Sequence, residues 1–314
     1  MKILGMVLAG GNGTRLHPLT AEHAKPAVNF VAGYRIIDFV LSNFVNSRVS
    51  PIFVIGQHKP LSLIEHIRTA WAPWSTGRKP VISVVLPEAN GESRAFGGTA
   101  DAVYQNRHLI KSYAPDAVAV FAGDHVYRMD VRQMARFHHQ RAAEVSIAAV
   151  RVPLSRASGF GIVAASPAGE LCEFREKPEQ PAPIPTAPDH SYASMGNYLF
   201  EPRTLVELLE EANQRGDADF GHHIMPTLPR RRRAWVYDFA RNRVPGVQSY
   251  EERGYWRDIG TLDAYRAAQQ DVLGPSPRFS LDNPAWPIRA VALRTREPIA
   301  AGTSRFLPDA AMHP

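Results

Sequence analysis

Ile3-Leu4-Gly5-Met6-Val7-Leu8-Ala9-Gly10-Gly11-Asn12-Gly13-Thr14-Arg15-Leu16, with Pro18-Leu19-Thr20 and Ala24-Lys25-Pro26-Ala27-Val28 close behind, is the stretch that decides the fold. Ile3 to Leu8 is a short apolar run, as a strand buried inside a parallel sheet requires. The glycines at 10, 11 and 13 leave no Cβ in the way, so backbone N–H groups can approach an anion closely. Arg15 adds a planar cationic fork and Lys25 a point charge, spaced to meet a polyphosphate. The glycines alone fit a tight strand-to-helix turn equally well. A dinucleotide fingerprint needs a third glycine where Leu16 stands, and a P-loop needs a closing Gly-Lys-Ser/Thr that is missing here.

Outward from this run, strand-like and helix-like segments alternate over roughly the first 270 residues. Ile52–Ile55, Val81–Leu86, Ala117–Phe121 and Val145–Val150 read as strands, with Glu170–Arg175, Tyr198–Phe200 and Ala234–Tyr237 as further short ones. Arg35–Asn46, Leu61–Ala70, Thr99–Lys111, Val131–Ala142 and Pro202–Asn213 read as helices. This is the pattern of an α/β fold with a mostly parallel sheet covered on both faces. Pro178–Pro188 is expected to be a surface loop. After Val272 the periodicity gives way to a tail punctuated by Pro275, Pro277, Pro284, Pro287, Pro298 and Pro308. The expected division is a catalytic domain over 1–272 and a Pro-rich tail over 273–314.

The 314 residues are 45% hydrophobic and 21% charged, ordinary for a soluble globular protein. No apolar run reaches the ~18–20 residues of a membrane span, and the chain enters its first strand without room for a secretory signal. Cys172 is the only cysteine, so an intrachain disulfide is excluded and the expected compartment is the cytoplasm. The formal charge is +6, and the densest basic stretch, Arg230–Arg233, precedes a strand, where a solvated surface is expected. No nucleic-acid-binding pattern accompanies it. His138-His139 and His222-His223 are adjacent pairs whose side chains diverge on regular elements, which suits surface or packing roles better than a metal site.

Five further segments carry chemistry. Gly123-Asp124-His125 follows a strand, placing Asp124 at a carboxyl end, where open α/β sheets bind ligands. Tyr255-Trp256-Arg257-Asp258-Ile259-Gly260-Thr261 supplies a second carboxylate, and two carboxylates plus substrate phosphates suit Mg²⁺. Glu176-Lys177-Pro178 ends a strand-like segment, and the turn Ala193-Ser194-Met195-Gly196-Asn197-Tyr198 offers polar groups for a sugar and its phosphate. Gly97-Gly98-Thr99-Ala100-Asp101-Ala102 opens a helix whose N-terminus is expected to face an anionic ligand.

The N-terminal run resembles the signature of the sugar-nucleotide pyrophosphorylases. Tyr34-Arg35-Ile36-Ile37-Asp38-Phe39-Val40-Leu41-Ser42-Asn43, Gly98-Thr99-Ala100-Asp101-Ala102, Gly123 to Asp130, Ser194 to Tyr198, Tyr255 to Leu262 and Trp286-Pro287-Ile288-Arg289 narrow the resemblance to the bacterial glucose-1-phosphate adenylyltransferases. It covers residues 3 to 290 in order and implies a Rossmann-like α/β/α nucleotide-diphospho-sugar transferase fold. The activity implied is reaction of ATP with α-D-glucose 1-phosphate, on the way to glycogen. By the same resemblance, Leu8, Gly10, Gly11, Thr14, Arg15, Gln57, Phe96, Gly98 and Thr99 bind ATP, and Gly161, Glu176, Lys177 and Ser194 bind glucose 1-phosphate. Asp124 and Asp258 hold Mg²⁺, and Arg15, Lys25, Asp124 and Lys177 carry the catalysis.

The chain also departs from that family. Ala95-Phe96-Gly97 stands where a Trp-Tyr-Arg is usual, keeping an aromatic for stacking but losing a hydroxyl and a cation. Glu22 and His23 stand where activated members carry basic residues, so weak activation by sugar phosphates is expected. The sequence given stops before the hexapeptide repeats of a C-terminal β-helix, which leaves a homo-oligomer possible but unspecified. Two alternatives follow: a nucleotidylyltransferase using UTP or dTTP, and a catalytically silent regulatory subunit.

Overall fold

Alternate residues of the first strand point into opposite cores, and this one fact organises the molecule. A computed structural model describes residues 1–71, 81–87 and 95–289. In β1 (Ile3–Ala9), Ile3, Val7 and Ala9 pack on one side, against α1 (Ile37–Asn46) and α2 (Pro60–Ala70). Leu4 and Met6 point the other way, into a core shared with the helix that begins at Thr99 and with a long helix near residue 208. Both faces of the strand are buried, so its sequence shows no polar alternation.

The remaining strands in chain order are β2 (Asn29–Val31), β3 (Tyr34–Arg35), β4 (Ile52–Gly56), β5 (Ile82–Val85), β6 (Ala117–Ala122), β7 (His125–Tyr127) and β8 (Val145–Pro153). They are followed by β9 (Gly161–Ala165), β10 (Leu171–Glu176), β11 (His190–Phe200), β12 (Ala234–Asp238) and β13 (Trp256–Asp258). The other helices are α3 (Thr99–Gln105), α4 (Arg107–Tyr113), α5 (Val131–Gln140), α6 (Leu154–Ala157), α7 (Pro202–Arg215) and α8 (Leu262–Asp271).

A nine-stranded sheet runs β10-β9-β11-β6-β1-β4-β5, with β8 pairing β11 and β12. It is parallel from β6 through β1 and β4 to β5, while β11 enters antiparallel to β6, β8 and β9. With helices on both faces this is a mixed, three-layer α/β/α architecture. The carboxyl ends of β1, β4 and β6 therefore open on the same edge, in line with the general placement of ligands in such sheets.

The sequence reading differs from the structure in several places. The helix expected over Thr99–Lys111 is two helices, broken at Asn106, whose side chain donates to Ala102 O (2.8 Å). Arg35 belongs to β3 rather than to α1. Ser194-Met195-Gly196 is not a turn before a strand but lies inside β11, where the pairing with β8 slips and Gly196 adopts a φ of 64°. The Arg230–Arg233 run is at the surface as expected, with Arg230, Arg231 and Arg233 exposed, and Arg231, Arg232 and Arg233 pair there with Glu144, Glu207 and Glu211. His138, for which a surface or packing role is expected, does take a packing role, buried against Ser146 Oγ (2.9 Å).

The described part of the tail packs against the domain. Phe279, Leu281 and Ile288 join Phe30, Phe39, Val126 and Tyr255 in a third core, and Arg289 N donates to the buried Ser42 Oγ. Pro298 and Pro308 lie outside the described residues. Among the described residues, no helix is long and apolar enough to cross a membrane.

Candidate active site

The open edge of the sheet holds a cleft of about 600 Å³. Its walls bring together segments far apart in sequence, and the placement of each follows from local chemistry. Gly10, Gly11 and Asn12 leave the end of β1, and Gly13 (φ 63°) turns the chain into the short 3-10 turn Thr14–Leu16 that presents Arg15. Thr20 Oγ1 donates to Gly13 O (2.8 Å) and fixes this loop. Lys25 opens a second 3-10 turn, with Pro26 at a position where its missing N–H costs nothing.

Asp124 follows β6, and Asp258 ends β13. Antiparallel pairing of β13 with β7 sets Asp258 opposite His125 and so brings both carboxylates to one place. Lys25 Nζ lies 2.6 Å from Asp124 Oδ2 and 3.8 Å from Asp258 Oδ1. His125 Nε2 is 3.4 Å from Asp124 Oδ1 and 3.7 Å from Asp258 Oδ1. Burial works against charge on Asp124, but Lys25, His125 and the hydrogen bond from Lys25 outweigh it and hold the carboxyl at about 2. Burial likewise opposes charge on Lys25, and the two aspartates overcome it to raise its pKa. Both groups are therefore ionised at neutral pH.

The ligand atoms of Asp124, His125 and Asp258 all lie within 4.8 Å of one another. Two hard carboxylates, with a cationic amine already drawn between them, fit a divalent cation that prefers oxygen ligands.

Facing this cluster across the cleft is the end of β10. Glu176 Oε1 pairs with Lys177 Nζ at 3.0 Å. Its other oxygen, Oε2, is lodged between two glycines: a Cβ at Gly161 or at Gly221 would lie 2.7 Å from it. Lys177 takes a left-handed φ of 43°, its N–H donating to Phe160 O (3.1 Å), and its side chain is half exposed. Ser194 Oγ accepts from Gly196 N (3.2 Å) within the slipped segment of β11.

At the other end, Gln57 follows β4 and grips the Phe96 backbone, accepting from Phe96 N (2.5 Å) and donating to Phe96 O (3.4 Å). The N-terminus of α3 is already satisfied within the protein. Ala100 N and Asp101 N both donate to Ala218 O (2.8 and 3.0 Å), so these two groups do not face the cleft as free donors. Gly98 is required here by proximity, since its φ of 173° is ordinary extended backbone but a Cβ would lie 2.5 Å from Ala218 O.

Of the residues singled out from sequence, Leu8, Gly10, Gly11, Arg15, Lys25, Gln57, Phe96, Gly98, Thr99, Asp124, Gly161, Glu176, Lys177, Ser194 and Asp258 all line this cleft. Thr14 is exposed but is not part of its wall. Sequence reasoning gave no role to His125, Phe160, Asp219, Gly221 or Trp256, which line it too. His125 was adjacent to a chosen aspartate and quoted with it. Residues 219–221 carry no recognisable motif; they line the cleft through tertiary contacts, Asp219 Oδ2 accepting from Thr99 Oγ1 (2.8 Å) and Gly221 lying against Glu176 Oε2.

The Tyr34–Asn43 motif is scaffolding. Asp38 is fully buried and accepts from Trp71 Nε1 (2.8 Å) and Arg35 N (2.7 Å), with His66 Nε2 at 2.6 Å. Asn43 donates to Tyr127 O (3.2 Å) and accepts from Met129 N (2.9 Å), pinning the backbone just beyond Asp124.

Comparison with known proteins identifies the family. The nucleotidyl transferase family matches residues 4–274. A glucose-1-phosphate adenylyltransferase of Thermodesulfovibrio yellowstonii is 49% identical over 288 residues, covering 91% of this chain and 70% of that protein. One from Thermus thermophilus is 46% identical over 301 residues, with coverages of 93% and 72%. Glucose-1-phosphate adenylyltransferase 1 of Vibrio cholerae is 44% identical over 289 residues, with coverages of 91% and 70%. The chain belongs to the nucleotidyl transferase family and, within it, to the glucose-1-phosphate adenylyltransferases.

Proposed function

We propose that the protein transfers the adenylyl group of ATP to α-D-glucose 1-phosphate, giving ADP-glucose and pyrophosphate. The observation that carries this reading is the shared cleft, in which a glycine loop with Arg15, the Lys25/Asp124/Asp258 cluster and the Glu176–Lys177–Ser194 group face one another. A phosphate oxygen of the sugar is ionised at neutral pH and attacks the α-phosphorus without a general base. A new P–O bond forms there as the bond to the β-phosphate's bridging oxygen breaks, and the electron pair leaves with pyrophosphate.

The difficulty lies in bringing two polyanions together and holding the charge of the leaving group, so positioning and electrostatics carry the rate. Arg15 and Lys25 meet the departing pyrophosphate, and Lys177 meets the incoming phosphate. Glu176 and Ser194 orient the sugar, and the loop at Gly10 and Gly11 gives its backbone amides to the triphosphate. Asp124 and Asp258 would hold Mg²⁺, which when bound supplies charge neutralisation at the α-phosphate. The adenine lies between Gln57, Phe96 and the Gly98–Thr99 turn.

The test is pyrophosphate release from purified protein with Mg²⁺, glucose 1-phosphate and each of ATP, UTP and dTTP. Strongest release with ATP supports the reading. Preference for UTP or dTTP keeps the mechanism and refutes the choice of base. No release from folded protein points to a silent subunit, against which stands the joint presence of Arg15, Lys25, Asp124, Lys177 and Asp258 in one cleft.

A further inference from the structure

His125 lines the cleft beside both aspartates, and the transfer as written above gives it nothing to do. It opens β7 directly after Asp124 and stands opposite Asp258 in the β7–β13 pair, where facing side chains are neighbours on one side of the ribbon. Asp124 is thus its chain neighbour and Asp258 its strand partner, so covalent geometry and register together set the ring between the two carboxylates.

The ring is also held in orientation. It meets Trp256 edge to face, with centroids 5.0 Å apart, and Trp256 meets Phe160 in the same manner at 5.5 Å. Its two nitrogens have opposite surroundings. Nδ1 is buried and finds no hydrogen-bond partner among the described residues, whereas Nε2 lies 3.4 Å from Asp124 Oδ1 and 3.7 Å from Asp258 Oδ1. A proton on Nδ1 would be a buried donor with nothing to receive it, so the ring carries its N–H on Nε2, toward the carboxylates. Nearly equal distances to two acceptors, both longer than a tight hydrogen bond, describe a donor shared between them rather than committed to one.

The oxygens of Asp124 are divided between two side chains. Lys25 Nζ takes Oδ2 at 2.6 Å, and His125 faces Oδ1, which together set the plane of the carboxylate. At Asp258 both side chains approach Oδ1, Lys25 from 3.8 Å and His125 from 3.7 Å. Among the described residues, these are the two side chains that reach both carboxylates at ion-pair distance. They differ in freedom. An ammonium on a four-carbon stem can swing toward a phosphate, whereas an imidazole wedged against Trp256 cannot follow it. Without Lys25 the two carboxylates would repel, and His125 is the donor left between them.

We propose that His125 is a positioning residue for the transfer: its Nε2–H keeps Asp124 and Asp258 turned toward one another when Lys25 engages the phosphates, and so presets the pair for a divalent cation without being a ligand of that cation. This rests on the reading of the cleft as an Mg²⁺-dependent adenylyl transfer site. Partners that orient metal-holding carboxylates in this way change metal affinity by about 10- to 100-fold.

The test compares three variants of the whole chain. His125→Phe keeps a ring against Trp256 but has no donor, His125→Gln carries an amide that can reach the place of the imidazole Nε2, and His125→Asn carries one that is too short. The probe is Mn²⁺, its binding to nucleotide-free protein followed by electron paramagnetic resonance. The dissociation constant is expected to rise about tenfold in His125→Phe and His125→Asn and to stay within about threefold of the parent in His125→Gln. The Mg²⁺ concentration for half-maximal pyrophosphate release should shift in the same order, with the KM for glucose 1-phosphate unchanged. Spin-echo modulation of the bound Mn²⁺ should show no coordinated imidazole nitrogen. Such a nitrogen in the parent, lost in His125→Phe, would make His125 a ligand and overturn the proposal. So would unchanged affinity in both His125→Phe and His125→Asn, or a loss in His125→Gln as large as theirs. If Mn²⁺ does not bind the parent, or binds Asp124→Asn and Asp258→Asn equally well, the metal reading of the cleft fails and takes this proposal with it.

Discussion

Replacing Gly98 by alanine separates what the glycines do for the fold from what they do for the substrate. At Gly98 a Cβ would stand 2.5 Å from Ala218 O and 2.9 Å from Ala218 C, both backbone atoms that no rotamer can move. The φ of 173° adds no strain of its own, so the cost is contact alone. Overpacking of this kind costs about 1–3 kcal/mol. Displacing Ala218 also stretches the two hydrogen bonds that its carbonyl accepts from Ala100 N and Asp101 N, each worth about 0.5–1.5 kcal/mol. The expected loss is about 2–6 kcal/mol, a large share of a domain's typical stability. Gly11→Ala is the control, because a Cβ there meets nothing within 4 Å. It should leave stability within about 0.5 kcal/mol while raising the KM for ATP about tenfold or more, through a methyl group where phosphate approaches the backbone. Urea unfolding, with unchanged m-values, and initial rates of pyrophosphate release measure the two effects. The reasoning is refuted by Gly98→Ala unfolding within 0.5 kcal/mol of the parent, or by Gly11→Ala losing stability without any change in ATP dependence.

Asp124→Asn and Asp258→Asn should each lower turnover by about 100-fold or more with the fold retained, as judged by far-UV circular dichroism; near-normal turnover would take that aspartate out of the mechanism. Lys177→Gln should raise the KM for glucose 1-phosphate about 10- to 100-fold and leave the KM for ATP nearly unchanged, and equal rises in both would contradict a role confined to the sugar phosphate. His138 is held near 4, below its ordinary 6.5, because burial outweighs the attraction of Glu201. The unfolded chain therefore takes up that proton first, so the stability at stake is complete above 6.5 and lost as pH falls toward 4, by about 3 kcal/mol. His138→Gln, which keeps a polar partner for Ser146, should flatten this part of the urea-midpoint profile between pH 7 and 4.

The parallel half of the sheet was readable because its strands are unbroken apolar runs ended by glycine or a polar residue, as at Ile3 to Gly10 and Ala117 to Asp124. Most of the cleft was readable too, since its residues cluster in short motifs at strand ends. Of the antiparallel β11 only the end, Tyr198–Phe200, was readable. Its outer half, His190-Ser191-Tyr192, is polar, and the Gly196 slip that offsets its pairing with β8 reads in one dimension as a turn. The Thr99 helix misled in a different way. Its N-terminus has the composition of an anion site, but Ala218 O, over a hundred residues away, fills the donors. The buried roles of Asp38 and Asn43 were equally hidden, because a motif shared with a family does not say whether its polar residues face a ligand or hold the backbone behind it.

The charges at the centre of the cleft also explain why the same few residues have to serve both the resting protein and the reaction. Asp124 and Asp258 approach closely only because β13 lies against β7, and two carboxylates so near each other repel unless a cation intervenes. Lys25 supplies that cation from a different segment, at a cost in burial that the two aspartates repay. On the proposed mechanism, Asp124 and Asp258 would hold a divalent ion, whose charge would replace that of Lys25 between them, and Lys25 would then be available to the phosphates. No new positive charge then has to be brought in by a moving loop. The cluster is therefore held together without substrate by the same attraction that substrate redirects, and the glycine loop beside it stays free of side chains that would compete for the released charge.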